Sequence, residues 1–147
     1  MSNSVPTVDD YMARDLITFL PDDDIHTVVK VLLDARISGA PVVDRKGRLV
    51  GVVSKKDCLE VLYSTGYHQD WGGRVEDYMS KDVTTIDSGT DIARAADLFM
   101  TSSFRRFPIV KNGRMTGQIS RADLLRALEE NWANVAPASH TRLFRST

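Results

Sequence analysis

Cysteine is all but absent from this 147-residue chain: Cys58 stands alone, so no disulfide can form within it. Histidine is nearly as scarce. His26, His68 and His140 are scattered, with no pair at helical spacing and no cysteine neighbour, which argues against a zinc site. No stretch approaches the roughly 18 apolar residues of a spanning helix, and no basic segment leads into an apolar run at the N-terminus. The expected setting is the cytoplasm. Neither sign of charge dominates: 19 Lys+Arg stand against 20 Asp+Glu, a net charge of −1. No broad basic field therefore points to nucleic acid, and no basic run to a membrane surface. The phosphate-binding fingerprints Gly-x-x-x-x-Gly-Lys-Ser/Thr and Gly-x-Gly-x-x-Gly are missing, as is the nucleophile motif Gly-x-Ser-x-Gly. Nothing in the sequence supports an enzyme.

What is present is ordinary in composition and unusual in order. Hydrophobic residues make up 42% and charged residues 27%, as in a globular chain of one domain. Shifted by 67 positions, residues 8–45 fall on 75–112; after a gap at Lys46, residues 47–59 fall on 113–125. Of the 51 pairs 16 are identical, among them Asp10, Tyr11, Met12, Thr18, Asp24, Pro41, Gly51, Ser54 and Asp57 with their partners. Chance would give about three or four. The chain is a tandem duplication.

Each repeat ends on the same stretch. Gly51 to Asp57 reads Gly-Val-Val-Ser-Lys-Lys-Asp, and Gly117 to Asp123 reads Gly-Gln-Ile-Ser-Arg-Ala-Asp. The glycine releases the chain into strand-forming residues, and the serine marks the switch from strand period to helix period. Ser-x-x-Asp at such a junction reads as a capping box that satisfies the helix start. It also reads as a place where hydroxyl, carboxylate and free amides converge on ribose hydroxyls and a phosphate. Both readings stand on the sequence alone.

Between these anchors the patterning predicts a strand at 16–20, stopped by Pro21. A helix follows the acidic Asp22-Asp23-Asp24, with one apolar face of Ile25, Val28, Val29, Leu32 and Leu33, ended by Gly39. A hairpin of 41–43 and 49–53 and a helix over 55–63 complete the first repeat. The second repeats the order: strand 83–86, a helix with Ile92, Ala95, Ala96, Phe99 and Met100, hairpin 107–119, helix 122–131. Residues 1–7 and the tail from 132 read as loose. The glycine-rich connector 64–74 carries Tyr67 and Trp71, which suit either simple packing or a partner surface. Cys58 pairs with Leu124 in the repeat and reads as a small buried hydrophobe.

Taken together, Val-x-Asp-Tyr-Met (8–12, 75–79), the strands ending at Thr18 and Thr85, Gly-Ala-Pro-Val-Val-Asp (39–44) or Arg-Phe-Pro-Ile-Val (106–110), Gly-Arg-x-x-Gly and Ser-x-x-Asp resemble the CBS motif, the cystathionine-β-synthase-type regulatory repeat. The resemblance implies an α/β (α+β) fold of tandem CBS motifs, each a small sheet with two helices, related by a pseudo-twofold axis in one Bateman module. Motif 1 would span 8–63 and motif 2 75–131. It further implies a regulatory, non-enzymatic module with no required cofactor. It would bind an adenosine-containing ligand (AMP, ADP, ATP, S-adenosylmethionine or NAD), pair as a homodimer, and modulate itself or a partner protein.

Family sites are crossed between motifs. Site A would join Ile17, Thr18, Gly39, Ala40 and Pro41 to Ser120 and Asp123. Site B would join Thr84, Thr85, Arg105, Arg106, Phe107 and Pro108 to Ser54 and Asp57. The two differ in charge: Ser38-Gly39 stands where the second repeat has Arg105-Arg106, so only site B offers guanidinium to phosphate. A ligand-free dimeric adaptor is the alternative from another class.

Overall fold

The structure, a computed structural model, describes residues 5–65 and 72–132. The connector aromatics Tyr67 and Trp71 and the tail from Ala133 lie outside the described residues. Helix α1 (Ile25–Ala35) starts where Asp24 accepts the Thr27 amide at 3.2 Å, and its repeat partner α3 (Ile92–Met100) where Asp91 accepts the Arg94 amide at 2.8 Å. In each case a carboxylate satisfies an orphan amide of the first turn. Helix α1 does not run on to Gly39. It stops at Arg36, which takes the left-handed conformation at φ 56° while its amide caps the last turn.

Hairpin β1 (Gly39–Val43) and β2 (Leu49–Ser54) leads directly into α2 (Lys55–Thr65). In the second repeat β3 (Ile86–Asp87) runs parallel to β4 (Arg106–Lys111), β4 pairs antiparallel with β5 (Arg114–Ser120), and α4 (Arg121–Glu130) follows. The strands expected at 16–20 and 83–86 are much reduced. The first is a single parallel bridge, Phe19 to Val42, and the second is the two-residue β3. Both make the same pairing, since Phe19 and Val42 are the repeat equivalents of Ile86 and Ile109. The remaining residues of each stretch have no ladder partner because they are crossing between the repeats.

That crossing defines the molecule. A 3-10 turn at Val8–Asp10, whose Asp10 accepts the Thr7 amide at 2.9 Å, opens the first repeat but packs on the second. Val8 and Met12 are buried with Ile86, Ala95, Phe99, Phe107, Ile109 and Ile119, and Ala13 bridges to Gln118 in β5. The turn at Val75–Asp77 does the reverse. Val75 is buried among Phe19, Ile25, Val28, Leu32, Ala40, Val42 and Val53, and Ser80 bridges to Val52 in β2. Residues 5–7 are held by the same exchange: Pro6 accepts the Ile92 amide at 3.1 Å, and Thr7 bridges to Asp91.

Each core is therefore completed by the other repeat's entry segment, and the shared glycines explain how. Gly51 and Gly117 are buried inside β2 and β5 rather than at turns. A β-carbon on Gly51 would lie 2.6 Å from the Met79 sulfur and 2.8 Å from the Ser80 carbonyl. One on Gly117 would lie 2.9 Å from the Ala13 carbonyl and collide with Met12. Only glycine lets the crossing chain come this close.

The helices present a second apolar stripe outward. Ile25, Val28 and Leu32 of α1 are buried, but Leu33 is 61% exposed, and its repeat equivalent Met100 on α3 is 84% exposed. The face expected to be a single core stripe is wider than the core uses.

Candidate functional site

Both Ser-x-x-Asp junctions form capping boxes. Asp57 Oδ2 accepts the Ser54 amide at 2.8 Å while Ser54 Oγ accepts the Asp57 amide at 3.1 Å. In the second repeat Asp123 Oδ2 accepts the Ser120 amide at 2.8 Å and the Ser120 hydroxyl at 3.0 Å. Capping leaves the functional reading open, because it occupies one oxygen of each carboxylate and fixes the direction of the other. The difference lies at Oδ1. Asp123 Oδ1 takes a 3.2 Å bond from Arg126 Nη2, whereas among the described residues Asp57 has no ion pair.

The pre-proline segments lie beside these junctions. Register places Gly39 opposite Ser54 and Arg106 opposite Ser120, and the carbonyls of Ser38 and Arg105 accept the first amides of α2 and α4, at 2.8 and 3.2 Å. Backbone pairing thus joins each segment to the serine of its own repeat. Among the described residues no hydrogen bond or ion pair links Arg105 or Arg106 to Ser54 or Asp57, or Gly39 to Asp123. Arg105 and Arg106 are exposed, and neither guanidinium has a hydrogen bond or ion pair among the described residues.

Ala40, Pro41, Phe107 and Pro108 are buried. The Phe107 ring stacks edge-on against Phe99 and Phe104, at 4.7 and 5.6 Å, so its side chain belongs to the core and only its backbone can meet a ligand. Ile17, Thr18 and Thr84 are exposed and Thr85 half-buried, all on the crossing segments.

A cavity of about 230 Å³ opens between the repeats, lined by Arg14, Leu16 and Thr18 of the first crossing segment together with Gly47, Met115 and Thr116. At its edge the two hairpins pair with each other: Gly47, which lines the cavity, accepts the Met115 amide at 3.0 Å, and Gly113 accepts the Leu49 amide at 3.3 Å. Of the residues expected at the sites only Thr18 reaches this cavity. Arg14, Met115 and Thr116 were not anticipated, and no spacing in the sequence brings them together. A larger space of about 750 Å³ lies on the outer side between α3 and α4, lined by Met100, Leu124, Leu125 and Leu128. Its walls are mostly apolar, with Ser102, Arg121 and Asn131 the polar residues among them, which suits a helix face better than a nucleotide.

Cys58 follows Asp57 on α2. Partial burial pushes its thiol above the ordinary value, and the Asp57 charge adds to the rise, so it is a poor thiolate.

Comparison with known proteins fits this architecture. The family profile described as "CBS domain" matches residues 8–64 and again 75–130. The chain belongs to the CBS domain family. The CBS-domain protein CBSX2 of Arabidopsis thaliana, a chloroplast protein, is 27% identical over 86% of this chain and 67% of its own length. Its crystal structure in complex with AMP superposes with a TM-score of 0.72 at 28% identity, covering 84% of this chain and 96% of that one. MJ1225 of Methanocaldococcus jannaschii is 27% identical over 86% of this chain and 44% of its own length. Its structure, described as that of a putative archaeal homologue of g-AMPK, gives a TM-score of 0.72 at 25% identity, covering 84% of this chain and 48% of that one. Inosine-5'-monophosphate dehydrogenase of the same organism is 31% identical over 84% of this chain but only 24% of the enzyme. This CBS pair thus spans less than half of MJ1225 and about a quarter of the dehydrogenase. No described helix is long and apolar enough to cross a membrane.

Proposed function

We propose that this chain is a regulatory CBS pair that binds an adenosine-containing ligand between its repeats and changes its own shape, or a partner's activity, in response. The observation that carries the reading is the unequal state of the two junctions on a fold whose relative CBSX2 was solved with AMP. Among the described residues the carboxylate of Asp57 keeps one oxygen without an ion pair, and Arg105 and Arg106, on the opposite repeat, have no guanidinium hydrogen bond or ion pair. A ribose diol donates hydrogen bonds to such a carboxylate, and a phosphate accepts from such cations. In this assignment site B takes the ligand: Ser54 and Asp57 hold the ribose, Arg105 and Arg106 the phosphate, and backbone near Pro108 with Thr84 and Thr85 borders the base. AMP, ADP, ATP, S-adenosylmethionine and NAD share the adenosine part. Regulation follows from differential affinity: the crossing segments tie both repeats together, so a ligand that favours one arrangement of the cleft shifts the whole module.

The same reading assigns the outer helix faces to a second copy of the chain. Leu33, Leu59 and Leu62 on α1 and α2 have as repeat equivalents Met100, Leu125 and Leu128 on α3 and α4, and all six are exposed. Apolar patches repeated by pseudo-symmetry suit closed twofold pairing.

Isothermal titration with AMP and adenosine tests the site. Asp57→Ala should remove most AMP binding and Asp123→Ala should leave it. Arg106→Ala should weaken AMP about tenfold, the worth of one charge-assisted bond, and spare adenosine. A silent Asp57→Ala beside a damaging Asp123→Ala overturns the crossed assignment.

A further inference from the structure

Arg126 and Glu60 occupy the same position in the two repeats, three residues after Asp123 and Asp57. This one exchange of charge falls beside the carboxylates on which the proposed function rests. Arg126 is held at three points. Its Nη2 donates to Asp123 Oδ1 at 3.2 Å and to the Tyr11 carbonyl at 3.0 Å, and its guanidinium lies over the Tyr11 ring at 5.8 Å. Tyr11 is itself anchored: its hydroxyl donates to Glu130 at 3.1 Å and accepts from Asn131 at 3.0 Å. Tyr11 belongs to the entry segment that the first repeat lends to the second, so the clamp spans both repeats. The equivalent Tyr78 makes a different bond, donating to the Gly72 carbonyl at 3.0 Å.

We propose that Arg126 is an internal competitor for the Asp123 carboxylate, which keeps the second adenosine-ligand site closed and makes this CBS pair single-sited. The inference deepens the function proposed above and rests on it. The chemistry is direct competition. With Asp123 Oδ2 committed to the cap and Oδ1 to a guanidinium, a ribose diol must displace a charge-assisted bond to reach the carboxylate. Among the described residues Asp57 has no ion pair, and Glu60 three positions on carries a charge of its own sign. A neutral residue at 126 frees Oδ1 without touching the cap, since the serine bonds go to the other oxygen.

The test is the stoichiometry of adenosine and AMP binding by isothermal titration of the native chain, Arg126→Ala, Arg126→Gln and the double variant Arg126→Ala/Asp123→Ala, with thermal melts reporting folding. The native chain should bind one equivalent. Both single variants should bind two, the second at least about fivefold tighter than any second-site binding of the native chain, as loss of a half-exposed ion pair allows. The double variant should return to one. One equivalent in folded Arg126→Ala and Arg126→Gln overturns the inference and leaves the function standing. Two equivalents in the native chain, the second as tight as in Arg126→Ala, do the same. Weaker AMP binding with unchanged adenosine binding in Arg126→Ala would show that Arg126 reads phosphate, and would also overturn it. Absence of binding by every variant overturns the function itself and the inference with it.

Discussion

Gly117→Ala adds one methyl group to a molecule that has no room for it, and the size of the penalty follows from the crossing. The new β-carbon would sit 2.8 Å from Met12 Cγ and 2.9 Å from the Ala13 carbonyl. Met12 can shift only at the expense of a core it shares with Phe99, Phe107 and Ile119. The Ala13 carbonyl is backbone and is already bonded to the Gln118 amide at 3.0 Å, with the Ala13 amide returning a 2.8 Å bond to Gln118. Overpacking a core costs about 1–3 kcal/mol, and weakening one of the two bonds adds about 0.5–1.5 kcal/mol. The sum, about 2–4 kcal/mol, corresponds to a fall in Tm of about 8–16 °C at about 4 °C per kcal/mol for a domain of this size. Urea unfolding followed by circular dichroism measures it. Gly113→Ala is the matched control. Its φ of +80° makes alanine unfavourable, but nothing lies within 4 Å of the added carbon. It should cost about 1–2 kcal/mol and be indifferent to Met12. In a Met12→Ala background Gly117→Ala should lose about 1 kcal/mol of its effect, the coupling expected of residues in contact, while Gly113→Ala should lose none. Additive costs for Gly117→Ala and Met12→Ala would refute the steric account of the crossing.

Two further outcomes follow from the same contacts. Burial works to raise the pKa of Asp9, but the Ser88 hydroxyl, the Gly89 amide and the charges of Arg14 and Lys111 outweigh it and hold the carboxyl below 3.8. A depressed pKa stabilises the fold above the unfolded value and is lost as pH falls through the folded one. Asp9→Asn should therefore lower Tm at neutral pH and flatten its decline below about pH 4; an unchanged acid limb would count against the contact. On the outer faces, Leu125→Lys should convert a dimer of the 16.4 kDa chain to monomer in light scattering, whereas a native chain already monomeric at micromolar concentration would dispose of the interface.

The sequence made the repeat legible because duplication preserved the residues with the least freedom: the glycines under the crossing methionines, the capping aspartates, and the prolines of β1 and β4. Helical periodicity located α1 and α3 but could not divide their apolar residues between core and outer face, since Leu33 and Met100 differ from Leu32 and Phe99 only in direction. The strands at 16–20 and 83–86 were overestimated for a related reason. Extended, apolar chain reads as strand, yet pairing requires a neighbour, and only Phe19 and the two residues of β3 have one. The crossing itself left no periodic trace, because its partners lie a hundred residues away or on the far side of the duplication. At the site the Ser-x-x-Asp junctions were visible, and so was the signal for Arg126, an opposite charge at the matching position of the other repeat. Its meaning depended on Tyr11, which only the fold brings alongside.

The exchange of entry segments has a bearing on ancestry. A lone repeat would expose the strand face that its partner's methionine now fills, and would carry an unsatisfied segment of its own. Two separate copies could satisfy each other through the same contacts, since the exchange is reciprocal. Joining them in one polypeptide replaces an encounter between molecules with an intramolecular closure at high effective concentration. Folding then no longer depends on how much protein is present, and once the two halves are no longer obliged to be identical, one can keep an open carboxylate while the other acquires an arginine beside its own.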